Sequence, residues 1–397
     1  MSEHATAIPA AESFDQKHAG NLPLIFLGAG GLGILISLIG AIFWPAQFAF
    51  SWLFAFTYFF TLCVGSLFWV LVHHATDAEW SVVVRRVLEN VATLIPVLFL
   101  FFLPLFFCAK ILWVWWDIAP GVDSLLDAKR PYLNKPFFCG RVLIYFIGLS
   151  AVALLMRRNS TDQDATGNLR HTFAMRKLSF IGIPVLALSL TFGAFDWLMG
   201  LDYKWFSTMW GVYIFAGAAG SGMSLLVILV TALRSCGYLQ FVTREHYHIM
   251  GKLMFAFTVF WAYIGFSQYM LIWYANIPEE TSYFIRRNIE SWWHMSLFLV
   301  VGRFFLPFTL LLTQWVKKQP KWLSCVAGWI LFMQLIDIYI IVMPMLHKFG
   351  VRPNFLDLFA LLAIGGPLGF LFLKVLAKNS LFPTRDPRLP ESLRLTN

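Results

Sequence analysis

The chain has 397 residues, 59% of them hydrophobic and only 13% charged, with a mean hydropathy of +0.70. That is too apolar for a soluble domain, so the composition excludes a large water-exposed fold and points to a bilayer as solvent. The net charge of +9 reads as a topology signal and a match to anionic headgroups; no basic stripe is interleaved with base-stacking aromatics, which argues against a nucleic-acid partner.

A polar tail over residues 1–21 lacks the basic start and small-residue cleavage site of a signal peptide. About ten apolar runs follow, each near the ~20 residues that span a bilayer: 22–43, 48–72, 88–110, 137–156, 178–199, 207–233, 250–275, 290–316, 322–346 and 355–376. A second tail covers 377–397. With the amino terminus placed inside, Lys and Arg concentrate in the inside segments 73–87, 157–177, 234–252 and 317–321 and in the tail from Lys374, so both termini are expected to be cytoplasmic. The expected fold is an all-α polytopic membrane domain over 22–376. Helices two to five (48–199) and six to nine (207–346) read as two pseudo-symmetric four-helix bundles of the same orientation, each ending in a span with one acid.

The candidate residues run along the chain as follows. Gly28, Gly30, Gly31 and Gly33 lie mid-span with no strand before them, which favours close helix packing over a nucleotide loop. The inside turn His73-His74-Ala-Thr-Asp77-Ala-Glu79 gathers acids and histidines where a proton would enter. Its spacing matches no zinc pattern. Asp196 falls near the outer end of helix five, where it is read either as solvated from the loop or as a proton exit or quinone-headgroup contact. On helix seven His248, Lys252, Tyr263, Ser267 and Tyr274 recur on one face beside Gln268, and His246 precedes them. That face suits a water file or ordinary helix–helix hydrogen bonds. Arg303 stands alone within a span, at a cost of at least about 3 kcal/mol unless partnered. Counting ~1.5 Å per residue puts it near 20 Å deep and Asp337 near 14 Å, so the two are expected to pair, as a structural lock or as a proton-handling site. Cys63, Cys108, Cys139, Cys236 and Cys325 are scattered singly, and no histidine pair lies mid-span. Neither a metal site, an iron–sulfur cluster nor a haem is expected in this chain. Trp113, Trp115, Trp116, Trp292 and Trp293 read as interfacial anchors.

Four stretches together resemble a known family. They run from Ser66 to Arg86, from Pro131 to Phe138, from Phe192 to Asp202 and, the most specific, from Val242 to Thr281. They resemble the F subunit of alternative complex III, a quinol:cytochrome c or quinol:oxidase oxidoreductase of bacterial inner membranes, and through it the polysulfide-reductase-like (NrfD-type) membrane subunits. The resemblance implies one extra helix flanking the bundles at each end. It implies that no redox cofactor is bound by this chain, with quinol or menaquinol as the substrate of the complex and haem c and iron–sulfur clusters in partner subunits. The implied partners are a multihaem cytochrome c, an iron–sulfur subunit, a homologous quinol-binding membrane subunit, small membrane subunits and membrane lipids. The matched motifs cover His73, His74, Asp77, Glu79, Asp196, Asp202, His246, His248, Lys252, Tyr263, Gln268, Glu279 and Glu280. Arg303 and Asp337 rest on physics alone.

The expected function is therefore a proton-conducting and structural subunit, not catalytic alone. Protons would enter near His73 to Glu79 or His246 to Lys252, pass Tyr263, Ser267 and Gln268, and exchange near Arg303, Asp337 or Asp196. The alternatives are a quinone site with Asp196, His246 or Tyr263 at the headgroup, in a cleft between the outer halves of helices two to five; a secondary transporter; and a plain scaffold.

Overall fold

A computed structural model of the chain describes residues 9–395; residues 1–8 and 396–397, parts of the two expected tails, lie outside the described residues. Among the described residues ten helices are long and apolar enough to cross a membrane: α1 Leu22–Phe43, α2 Pro45–Ala75, α3 Glu79–Phe107, α4 Lys135–Thr166, α5 Arg170–Leu201, α6 Trp210–Ser235, α7 Arg244–Ala275, α8 Ser291–Leu312, α9 Pro320–Met345 and α10 Phe355–Leu376. The chain is a multi-pass, all-α membrane protein. Among the described residues β-pairing is confined to one isolated bridge, Ser13 with Ser380.

All ten expected spans are present, but several helices overrun them. A helix of 32 residues, such as α4 or α7, is about 48 Å long at ~1.5 Å per residue, well past a hydrocarbon core of about 30 Å. A consequential difference is at α3, which starts at Glu79 rather than 88. Arg85 and Arg86 fall in the expected inside segment 73–87 and Glu89 at the start of the expected span, yet all three are buried. They face an internal ion network instead of water.

α2 and α6, the first helix of each group of four, form the central contact. α2 also packs on α3, α5 and α10, and α6 on α5, α7 and α9. Their backbones touch: a Cβ on Gly65 would sit 1.9 Å from the carbonyl oxygen of Ala218, and one on Gly222 2.6 Å from the carbonyl carbon of Gly65. In lipid, where apolar burial gives helices no reason to associate, such close approach supplies the van der Waals contact that holds the two halves together. The expected flanking helices are the first and last spans. α1 and α10 pack against each other, with Gly30 and Gly33 of the glycine run pressed on Pro367 and Ala363 while Gly28 and Gly31 face open space.

The carboxyl-terminal segment folds back under the bundles. Leu381 N–H donates to the Glu12 carbonyl (2.7 Å), Phe382 is fully buried, and Asp386 binds Arg85 (2.7 Å) and Arg388 (3.0 Å). Burial pushes the Asp386 carboxyl up, but Arg85 and Arg388 more than offset this and hold it well below the usual range. A carboxyl with a depressed folded pKa anchors fully above the free value of about 3.9, and the anchoring is lost as the pH falls through the folded value. Hydrogen exchange of residues 380–392 should thus stay slow from neutral pH down to about pH 4 and quicken only below it. Asp386→Asn should free the segment already at neutral pH; release beginning near neutrality in the parent would contradict this anchor.

Candidate functional site

Each bundle carries an arginine on its third helix and an acid on its fourth: Arg141 on α4 with Asp196 on α5, and Arg303 on α8 with Asp337 on α9. In the first bundle the pair is closed. Arg141 donates from Nε and Nη2 to both Asp196 oxygens (2.9 and 2.7 Å), and the Tyr145 hydroxyl donates to Oδ2 (2.8 Å). The Arg141 guanidinium stacks 3.8 Å from the Tyr132 ring centre, and Asp196 is wholly buried. This corrects the expectation that Asp196 is solvated from the outer loop: the residue is enclosed, and Phe56, Phe60, Phe102, Phe146 and Trp197 pack ring on ring between the helices where a quinone cleft was expected.

In the second bundle the pair is open. Arg303 Nε stands 3.9 Å from Asp337 Oδ2, so the expected pairing across α8 and α9 exists but is loose. Arg303 lies in a single π-helical turn, Val301–Phe305, a local irregularity that often marks functional positions. The Trp329 indole donates to the Gly302 carbonyl there (2.7 Å). Arg303 Nη2 donates to Gln334 Oε1, Nη1 is buried without a hydrogen-bond partner, and the guanidinium lies 4.7 Å from the Trp261 ring centre. Gly217 on α6 makes room, since a Cβ there would fall 2.8 Å from Gln334 Oε1 and 3.3 Å from Arg303 Nη2. Asp337 accepts from the Tyr213 hydroxyl (2.6 Å) and the Trp261 indole (3.0 Å). Two neutral donors and a distant cation therefore hold its carboxylate.

Asp337 sits at the floor of a groove of about 670 Å³ between α7, α8, α9 and the short crossing helix Pro278–Arg286. Trp205, Trp210, Tyr283 and Trp293 line it, and at its rim Tyr263 and Phe266 are exposed, so it opens sideways from the bundle. A largely aromatic cleft of this size with a few convergent polar groups is typical of small-ligand sites. Those groups are Asp337, Arg287, Gln268 and the Tyr283 hydroxyl, the last pushed up to about 12 by burial and so a donor at neutral pH. Arg287 is stacked 3.4 Å over Tyr283 and spends its N–H groups on the carbonyls of Ile340, Ile341 and Tyr283. It shapes the wall of the groove.

The remaining sequence candidates are dispersed. His73 and His74 are not in an open turn; both are buried at the end of α2 with no hydrogen bond to any ring nitrogen. Asp77 pairs with Arg176 (2.8 Å) and Arg388 (3.4 Å), and Glu79 is exposed. His246 caps α7, its Nδ1 meeting Thr243 and its Nε2 lying 3.1 Å from the Ser392 carbonyl. His248 lies 3.7 Å from Glu245. The helix-seven face does not form an enclosed track: Lys252, Tyr263 and Tyr274 point outward, and Ser267 only donates to its own helix. Gln268 is turned inward and accepts from Ser207 (2.8 Å). Asp202 pairs with Arg286 (3.0 Å), and Glu279 and Glu280 open the crossing helix. Among the described residues no three His, Cys, Asp or Glu side chains converge as a metal would need.

Sequence reasoning missed Arg141, Tyr213, Trp261, Gln334 and the groove itself. Arg141 lies near the start of a span, where a basic residue draws no notice, and of the groove aromatics Trp293 reads as an interfacial anchor. No known family model and no curated protein sequence matches this chain.

Proposed function

We propose that this chain is a proton-handling membrane subunit of a quinol-oxidising respiratory complex, of the kind its motifs resemble in the F subunit of alternative complex III. The observation that carries the reading is Asp337, a carboxylate deep in the protein at the floor of a laterally open aromatic groove, with its arginine held off at 3.9 Å. A carboxyl in such surroundings changes protonation when the contents of the groove change. The Arg303 cation keeps the charged form accessible, and Tyr213 and Trp261 orient the oxygens. In this reading the protein resides in the bacterial inner membrane with both termini cytoplasmic. Electrons pass through haem c and iron–sulfur clusters of neighbouring subunits, and this chain handles protons.

The groove favours a second, compatible reading in which quinol itself lodges there. Its ring would lie among the aromatic walls; one hydroxyl proton would pass to Asp337 and the other to the aqueous phase, while both electrons leave to a redox centre of a neighbouring subunit and quinone remains. Purification under mild conditions tests the first reading. The chain should copurify with a multihaem cytochrome and an iron–sulfur protein and show quinol-dependent reduction of an acceptor. Isolation as a stable lone chain with substrate-dependent flux would overturn it in favour of a transporter. Ala262→Trp, which fills the groove, should raise the quinol KM if quinol lodges there and leave it unchanged otherwise.

A further inference from the structure

At the end of the molecule where α7 begins and α8 gives way to α9, positive charge is left unmatched. Lys252 and His248 share one face of α7 at i and i+4 spacing, and the short helix Gln314–Lys318 brings Lys317 and Lys318 against the start of α7. Lys252, Lys317 and Lys318 all lie within electrostatic reach of the His248 ring. One acid answers them: Glu245 binds Lys318 (2.7 Å). Lys252 and Lys317 have no carboxylate partner among the described residues. Their charges act on one another, and burial followed by Lys252 lowers the Lys317 pKa. The stem of Lys317 lies across Gly251, where a Cβ would come 2.7 Å from its Cγ. Its ammonium lies over the Phe255 ring, 5.6 Å from the ring centre, within electrostatic reach of Lys252.

Two further features define the surroundings. Trp315 and Trp322 flank the lysines, both exposed and with ring centres 5.8 Å apart, and exposed Trp at a span end sits at headgroup level. Along α7 and α8 an aromatic strip of Phe255, Phe308 and Phe304 then leads toward the middle of the membrane. Cations at headgroup depth above apolar surface match a ligand that is anionic at one end and hydrocarbon at the other, and lysine meets phosphate as a point charge.

We infer that the surface formed by the start of α7 and the helix Gln314–Lys318 binds the phosphodiester of an anionic phospholipid, with Lys252 and Lys317 as its cationic contacts and the phenylalanine strip beneath its acyl chains. The site is independent of the respiratory assignment. It explains what the ion pairing does not: why a second and third lysine gather where one acid is available.

Native mass spectrometry of the full chain, purified in whatever assembly it occupies, tests this. The probes are phosphatidylglycerol, phosphatidylcholine with the same acyl chains, and inorganic phosphate. Phosphatidylglycerol should be retained and phosphatidylcholine not. Near a membrane surface each lysine contributes about 1 kcal/mol to an anionic headgroup, so retention should fall about fivefold in Lys252→Gln and about thirtyfold in Lys252→Gln/Lys317→Gln. Lys252 is exposed, so the single variant disturbs no packing and decides the matter even where the double variant folds poorly. Arg170→Gln/Lys177→Gln, which removes the same charge from exposed positions of the other bundle, should change nothing. Equal retention of both lipids, equal retention by parent and Lys252→Gln, an equal loss in the Arg170/Lys177 control, or displacement by millimolar inorganic phosphate would each overturn the proposal.

Discussion

Asp337→Asn should lower quinol-dependent turnover of the assembled complex by about 10²- to 10⁴-fold, the usual contribution of a positioned acid–base group, while leaving assembly intact. The substitution is nearly isosteric. The amide oxygen still accepts from the Trp261 indole, and the amide N–H faces the Tyr213 hydroxyl oxygen, which accepts as readily as it donates. Arg303 keeps its Gln334 hydrogen bond and its contact with the Trp261 ring. What is lost is one protonatable oxygen pair and one negative charge. In vesicles, proton movement per electron should fall with turnover or beyond it. Arg303→Gln makes a useful companion: it removes the cation and leaves the carboxylate in place, so it should lower turnover by less than Asp337→Asn rather than abolish the rate. A merely structural pair predicts the reverse pattern, in which both variants melt earlier and the folded remainder turns over like the parent.

The sequence made this site partly visible, for reasons that belong to particular residues. Arg303 stands out because a bilayer offers a lone charge no solvent, so a partner was required, and Asp337 on the next helix was within reach. The looseness of the pair was not visible, because it depends on a π-helical turn and on the space left by Gly217. Neither has a sequence signature. The ten spans were legible since hydrocarbon thickness dictates their length. The start of α3 was not, because Arg85 and Arg86 read as part of an inside segment, with Glu89 just beyond it, unless one knows that Arg157, Asp164 and Asp386 meet them from distant positions. Trp205, Trp210 and Trp293 illustrate a different ambiguity. Aromatic residues near span ends serve as interfacial anchors and as cleft walls with the same composition, and only the crossing helix Pro278–Arg286 turns them into a groove.

The comparison of the two arginine–acid pairs leads to the second large effect. Asp196→Ala should destabilise the protein by about 3–5 kcal/mol, the cost of stranding one member of a buried ion pair, and should do so without a specific defect in turnover by the folded fraction. After the substitution the Arg141 guanidinium keeps only the Tyr132 carbonyl (2.8 Å) and its ring contacts, and the Tyr145 hydroxyl loses its acceptor. Thermal unfolding in detergent, followed by loss of the monodisperse peak, reads the change. Arg141→Met/Asp196→Leu should recover most of it, because replacing both members of a buried pair by apolar groups of similar volume removes the stranded charge as well as the bond. The analogous pair of variants in the second bundle should behave differently. Arg303 and Asp337 are already 3.9 Å apart with no hydrogen bond between them, so separating them costs less in stability and more in activity. If Asp196→Ala instead halted turnover while leaving the melting temperature untouched, the closed first bundle would be the chemical one, and the assignment of roles to the two halves would have to be exchanged.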